Sequence, residues 1–182
     1  MLMKSKVSVI VPVYNAERTL TACLDSLSSL SKDSPSHEII IVDNGSQDSS
    51  MEIIQRYPQV HFIKEHEVRG PSAARNKGAH AATGEILAFT DADCIVSEKW
   101  LIQATSMLEQ DGVCGIGGKI EGAPAKNYIQ KWMNHRKILD QEAALANSFM
   151  PFAQTANAFF YRKDFLDVEG FDPAIPLGED CD

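Results

Sequence analysis

Apolar residues dominate positions 7–13, VSVIVPV, with too little alternation for a strand that wets one face. Such a run suits a central parallel strand covered on both sides. After it, Leu20, Cys23, Leu24, Leu27 and Leu30 recur at helical spacing, with Asn15 placed to cap the helix. A second apolar run, 39–42, ends at Asp43-Asn44-Gly45-Ser46; a short helix is expected over 49–56 and a third strand over 60–63. Ser46, Gln47 and Asp48 read most simply as capping residues. Pro71 suits the first turn of a further helix, whose Ala73, Ala74, Ala79, Ala81 and Ala82 form a small-residue face able to lie close on a sheet, and Gly84 stops it. The strand 86–89 follows, then Asp91-Ala92-Asp93, then a helix over about 98–109. The glycine-rich stretch GVCGIGGKIEG, 112–122, reads as a strand approached closely by other backbone. Strands alternating with helices predict an α/β fold, a mostly parallel Rossmann-like sheet flanked by helices on both faces.

Composition narrows this without redirecting it. A chain of 182 residues, 44% hydrophobic, buries one core, so 1–182 is read as a single domain. The formal net charge of -8 argues against a nucleic-acid partner, since a phosphate backbone is gripped through clustered Lys and Arg. The opening MLMKSKVSVIVPVYN has the outline of a secretory signal, but its apolar run is short and β-branched and leads into a polar turn, so it reads as a buried strand. No stretch reaches the roughly 20 apolar residues of a membrane span. Cys23, Cys94, Cys114 and Cys181 are scattered, which points to reduced structural thiols and a cytoplasmic location.

In a parallel sheet ligands bind at the carboxyl ends of the strands. Three strand ends carry the unexpected polar residues: Tyr14-Asn15, Asp43-Asn44 and Asp91 with Asp93. In an extended segment residues i and i+2 share a side, so Asp91 and Asp93 are spaced to face one hard cation. The same spacing recurs at Asp180-Cys181-Asp182, so the setting gives the first pair its weight. Residues 69–78 add Arg69, a helix start whose free N–H groups suit an anion, and Arg75, suited either to a phosphate or to an ion pair with the acidic loop. Neither GxxxxGK[ST] nor a GxGxxG after the first strand is present, which removes the main support for a dinucleotide fold.

Four blocks, VSVIVPVYNAERTL, IIIVDNGSQDSS, RGPSAARNKGAHAATGEILAFTDADC and TANAFFYRKDFLDVEGFDPAIPLGED, together resemble the inverting glycosyltransferases of family 2, which have the GT-A fold. The resemblance implies a nucleotide-diphospho-sugar donor (UDP-, GDP- or dTDP-sugar) bound by 1–95, and a saccharide or lipid-linked acceptor met by 96–182, as in polysaccharide biosynthesis. It implies that the turn containing Pro12 and Tyr14 lines the nucleoside pocket, although Tyr14 also reads as an edge residue of the core. Glu17 would meet base or ribose, or serve as a plain helix-start acid. Asp43 would accept the imide N–H of a base. Asn44 stands where the family often has a second Asp, which leaves the base open. Arg75, with Asn76 and Arg69, belongs to the donor site. Asp93 would bind Mg2+ or Mn2+, and Asp91 ribose or a metal-bound water. Asp180 would be the general base, with Glu179 orienting it or, as the second choice, acting as the base itself.

The chain stops two residues beyond Asp180, where family members continue, so the acceptor half reads as incomplete. Two alternatives stand beside the enzyme: a truncated noncatalytic nucleotide-sugar-binding module, and a sugar nucleotidyltransferase, which would want a glycine-rich basic loop after the first strand. Residues 126–146 read as an amphipathic helix with Lys126, Lys131, His135, Arg136 and Lys137 grouped on it. It suits packing on the sheet first, and peripheral contact with the inner face of a membrane second.

Overall fold

The structure is a computed structural model; it describes residues 6–122 and 153–174 and the isolated positions 124–125, 128, 131–132, 142 and 145–146. Its elements, in chain order, are β1 (Val7–Val13), α1 (Leu20–Ser28), β2 (His37–Asp43), α2 (Ser50–Ile54), β3 (His61–Lys64), α3 (Pro71–Ala81), β4 (Ile86–Phe89), α4 (Trp100–Leu108), β5 (Gly115–Gly117), β6 (Ala158–Tyr161) and α5 (Arg162–Asp167). The sheet order is β3-β2-β1-β4-β6-β5. The pairs β3-β2, β2-β1 and β1-β4 are parallel, whereas β6 runs antiparallel to both β4 and β5. The expected parallel sheet is therefore mixed, with its parallel half ending at β4.

The long apolar run of β1 feeds two cores because alternate residues point to opposite faces. Val7, Val9, Val11 and Val13 join Ile39 and Ile41 of β2 against α1, α2 and α4, through Leu20, Leu24, Leu27, Ile53 and Leu101. Ile10, with Ile40 and Val42, faces α3 and α5 through Ala74, Ala79 and Phe165. The alanine face of α3 brings that helix close: a Cβ on Gly78 would lie 2.6 Å from Ile10 Cγ2. Gly84 is explained by proximity rather than by capping, since a Cβ there would lie 2.7 Å from the Lys6 carbonyl oxygen. β5 confirms the strand expected in the glycine-rich stretch, and a Cβ on Gly115 would meet the Phe160 ring at 2.6 Å. Among the described residues, no helix is long and apolar enough to cross a membrane.

Candidate functional site

Because β1 sits between β2 and β4, their parallel carboxyl ends fall side by side, and Tyr14, Asp43 and Asp91 share one edge of the sheet. Tyr14 is 58% exposed, so it is no core edge residue. Pro12 pairs with Val42 on the β2 side and lies beyond the last β1–β4 pair, Ile10 with Phe89, so its missing N–H costs the sheet no ladder bond.

The loops after β1 and β2 are stitched together. Asn15, held at φ 49°, accepts the Gln47 N–H on Oδ1 at 2.8 Å and donates its own N–H to Ser46 Oγ at 2.9 Å. It therefore does not cap α1, which starts after Thr19 with no side-chain cap. Glu17 is not a plain helix-start acid of α1: Oε2 accepts the Ser49 N–H at 3.1 Å, ahead of α2, while its own N–H donates to Asp48 Oδ2 at 2.9 Å. The buried Asp43 carboxylate accepts the N–H groups of Gly45 and Ser46, each at 3.2 Å, which shapes the turn that leaves β2.

Asn44 departs most from expectation. Its Nδ2 donates to the carbonyls of Glu65, at 3.2 Å, and Val68, at 2.8 Å, and its Oδ1 accepts the Gly70 N–H at 2.7 Å. Both amide hydrogens are thus committed to the loop between β3 and α3, and neither is left for a base. Sequence reasoning missed Glu65, which braces the same loop from within: Oε1 accepts the N–H groups of Glu67 at 2.7 Å and Val68 at 3.1 Å, and Lys77 lies 3.5 Å from Oε2. Burial pushes the Glu65 carboxyl up, but those two N–H groups and the Lys77 charge outweigh it and hold it below the usual range. Arg69 is exposed on this loop, one residue before Gly70, whose φ of 122° favours glycine and which leads into Pro71 at the start of α3.

Arg75 is buried on α3 and donates from a terminal nitrogen to Asp91 Oδ1 at 2.8 Å, the ion pair that the sequence left as one of two readings. The next residue, Asn76, faces a different partner. Its Nδ2 donates to the Phe171 carbonyl at 2.7 Å and its Oδ1 accepts the Phe171 N–H at 3.0 Å, so it clamps the segment after α5 instead of facing the sheet edge.

Asp91 and Asp93 meet by a route other than strand alternation. The Cys94 N–H donates to the Asp91 carbonyl at 3.0 Å, closing a turn over 91–94. In that turn ligand atoms of Asp91, Asp93 and Cys94 lie within 4.8 Å of one another. Two carboxylates fit a hard cation such as Mg2+ or Mn2+. The Cys94 thiol is pushed up to about 11, by burial first and then by the Asp91 charge, which keeps it protonated and leaves the hard donors to the two acids. Beneath the turn, burial and the neighbouring Cys94, Asp93 and Asp91 push Cys23 up to about 12. Thr90, also missed, is fully buried and anchors the turn through an Oγ1 donation to the Ala156 carbonyl at 3.1 Å. Its signal was its position between a buried strand and an acidic pair. Glu179 and Asp180 lie outside the described residues, as does most of 126–146.

Known proteins resemble this chain in sequence and in fold. The chain is 42% identical over 174 residues to the putative glycosyltransferase EpsH of Bacillus subtilis, covering 91% of this chain and 44% of that protein. It is 39% identical over 132 residues to glycosyltransferase AglE of Haloferax volcanii, covering 67% and 43%. The mannosyltransferase PcManGT of Pyrobaculum calidifontis, solved in complex with GDP-Man and Mn2+, superposes with a TM-score of 0.75 at 25% identity, over 99% of this chain and 50% of that one. The chain thus spans about half the length of these relatives. Residues 8–168, from the first buried strand through the helix after β6, match Glycosyl transferase family 2, and the chain belongs to that family.

Proposed function

We propose that residues 1–95 form the nucleotide-diphospho-sugar-binding part of an inverting, metal-assisted glycosyltransferase, with 96–182 beginning the acceptor side. The observation that carries this reading is the 91–94 turn, which gathers two carboxylates at the carboxyl end of β4, beside Asp43 and the exposed Tyr14. PcManGT, in complex with GDP-Man and Mn2+, supports a nucleotide-sugar donor and a divalent ion beside it as the reading of this site.

Tyr14 offers a ring on which a base or ribose can stack. Asp43 keeps lone pairs beyond the two that its own turn uses, which suits an imide N–H. Arg69 and the open first turn of α3 suit the diphosphate. Asp91 and Asp93 would hold Mg2+ or Mn2+, which when bound neutralises charge on the departing nucleoside diphosphate. Asp180 would take the proton of the acceptor hydroxyl as its oxygen attacks the anomeric carbon and the bond to the diphosphate breaks, with Glu179 orienting it. These last two roles rest on the family resemblance alone.

Calorimetric titration with UDP, GDP and dTDP, each with and without Mn2+, followed by a donor-hydrolysis assay, tests the reading. Metal-dependent binding of one of them is expected. If none binds with metal present, the donor site does not exist.

A further inference from the structure

We infer that Asn44 is a positioning residue for the donor's diphosphate, acting through the loop 65–70, and that it does not read the base. The inference rests on the donor reading above. Asn44 leaves β2 directly after Asp43, where a group in contact with a base is expected. Its side chain instead turns to the neighbouring loop and makes three bonds there, to the Glu65 carbonyl, the Val68 carbonyl and the Gly70 N–H. An amide meets that set of two acceptors and one donor. An aspartate at 44 could still accept from Gly70, but its lone pairs would face the carbonyls of Glu65 and Val68.

What the tether holds explains its use. Val68 and Gly70 flank Arg69, so two of the three bonds grip the backbone on either side of the exposed cation. Gly70 also precedes Pro71, so the bond to its N–H sets the chain's entry into α3 as well. The Glu65 carboxylate pins the opposite side of the loop through Glu67 and Val68. With the backbone fixed at both sides, only the Arg69 side chain and not the loop has to be ordered when it meets an anion, so a preformed loop strengthens phosphate binding and leaves nucleoside contacts alone.

The test compares the binding of a nucleoside diphosphate plus Mn2+ with that of its parent nucleoside, measured by competition, in the wild-type chain, Asn44→Ala, Arg69→Ala and the double variant. Amide hydrogen exchange across 65–70 is followed in each. Asn44→Ala and Arg69→Ala are each expected to weaken the diphosphate about tenfold. The double variant should be little weaker than either single, nucleoside affinity should be unchanged, and exchange at 65–70 should quicken in Asn44→Ala but not in Arg69→Ala. Asn44→Asp keeps the size of the side chain and carries the same expectation if Asn44→Ala does not fold. A parallel loss of nucleoside affinity, multiplying effects in the double variant, or unchanged exchange overturns the inference while the donor reading stands. A wild-type chain that binds no nucleoside diphosphate overturns both.

Discussion

Arg75 and Asp91 form a 2.8 Å ion pair in which the guanidinium side is 4% exposed and the carboxylate side 33%. The pair bolts α3 to the turn that carries Asp93. A cation buried this deeply is costly without its partner, whereas the half-open carboxylate can be compensated by water. The two ends of the pair are therefore unequal: removing the Asp91 charge strands the buried guanidinium, whereas removing Arg75 loses the ion pair and the packing of a buried side chain. Arg75→Ala is expected to lower unfolding free energy by about 1–3 kcal/mol, with Arg75→Lys recovering only part because an ammonium lacks the planar fork. Urea denaturation reads this directly, and an Arg75→Ala variant as stable as the parent would contradict it.

The two acids of the turn should separate under mutation. Asp93 is exposed, so Asp93→Asn should leave the melting temperature unchanged while reducing Mn2+-dependent nucleoside diphosphate binding about tenfold or more. Asp91→Asn should lower both, since it strips the charge from the partner of Arg75. Equal thermal shifts in the two variants would show that the division of labour is wrong.

Asn76 and Gly170 compete for one small space. Gly170 sits at φ 73°, and a Cβ on it would lie 2.5 Å from Asn76 Oδ1. Gly170→Ala should destabilise by about 1–3 kcal/mol through strain and the clash, and Asn76→Ala by about 1–3 kcal/mol through the lost pair of bonds to Phe171. Removing Asn76 also removes the clash, so the double variant should lose less than the sum of the two. Strict additivity in a denaturant double-mutant cycle would refute the shared contact.

At the other end of β1, burial pushes the Glu38 carboxyl up, but donors from Ser8 and Thr83, with the Lys6 charge, hold it down at about 2 against an ordinary 4.5. A folded-state value below the unfolded one means that this contribution is fully present above pH about 4.5 and is lost as pH falls toward 2. After discounting for partial exposure it amounts to about 1–2 kcal/mol. Glu38→Gln should flatten the fall of stability with pH in that window; an unchanged slope would rule the cluster out as its source.

The two-faced core was legible because continuous apolar strands admit only a sheet covered on both sides, and β1 and β2 carry that pattern in their own residues. The polar strand ends were legible for the same reason: Tyr14, Asp43 and Asp91 interrupt runs that otherwise stay apolar. The helix after β1 was found, but its cap was misread, because the side chain of Asn15 is used by Gln47, 32 residues away. No local pattern carries that distance.

The sequence by itself determined which apolar residues form the core, which strands are central and where chemistry gathers, since those follow from the alternation and periodicity of side chains along one segment. Only the tertiary structure decided what each polar side chain does there. Asn44 turns to a loop, Asn76 to the backbone of Phe171 and Arg75 to Asp91, and Asp91 meets Asp93 through a turn instead of an extended strand. A polar side chain satisfies its hydrogen bonds with whatever folding brings within about 3 Å, and that neighbour is set by strand order and loop path, which no single stretch of sequence contains.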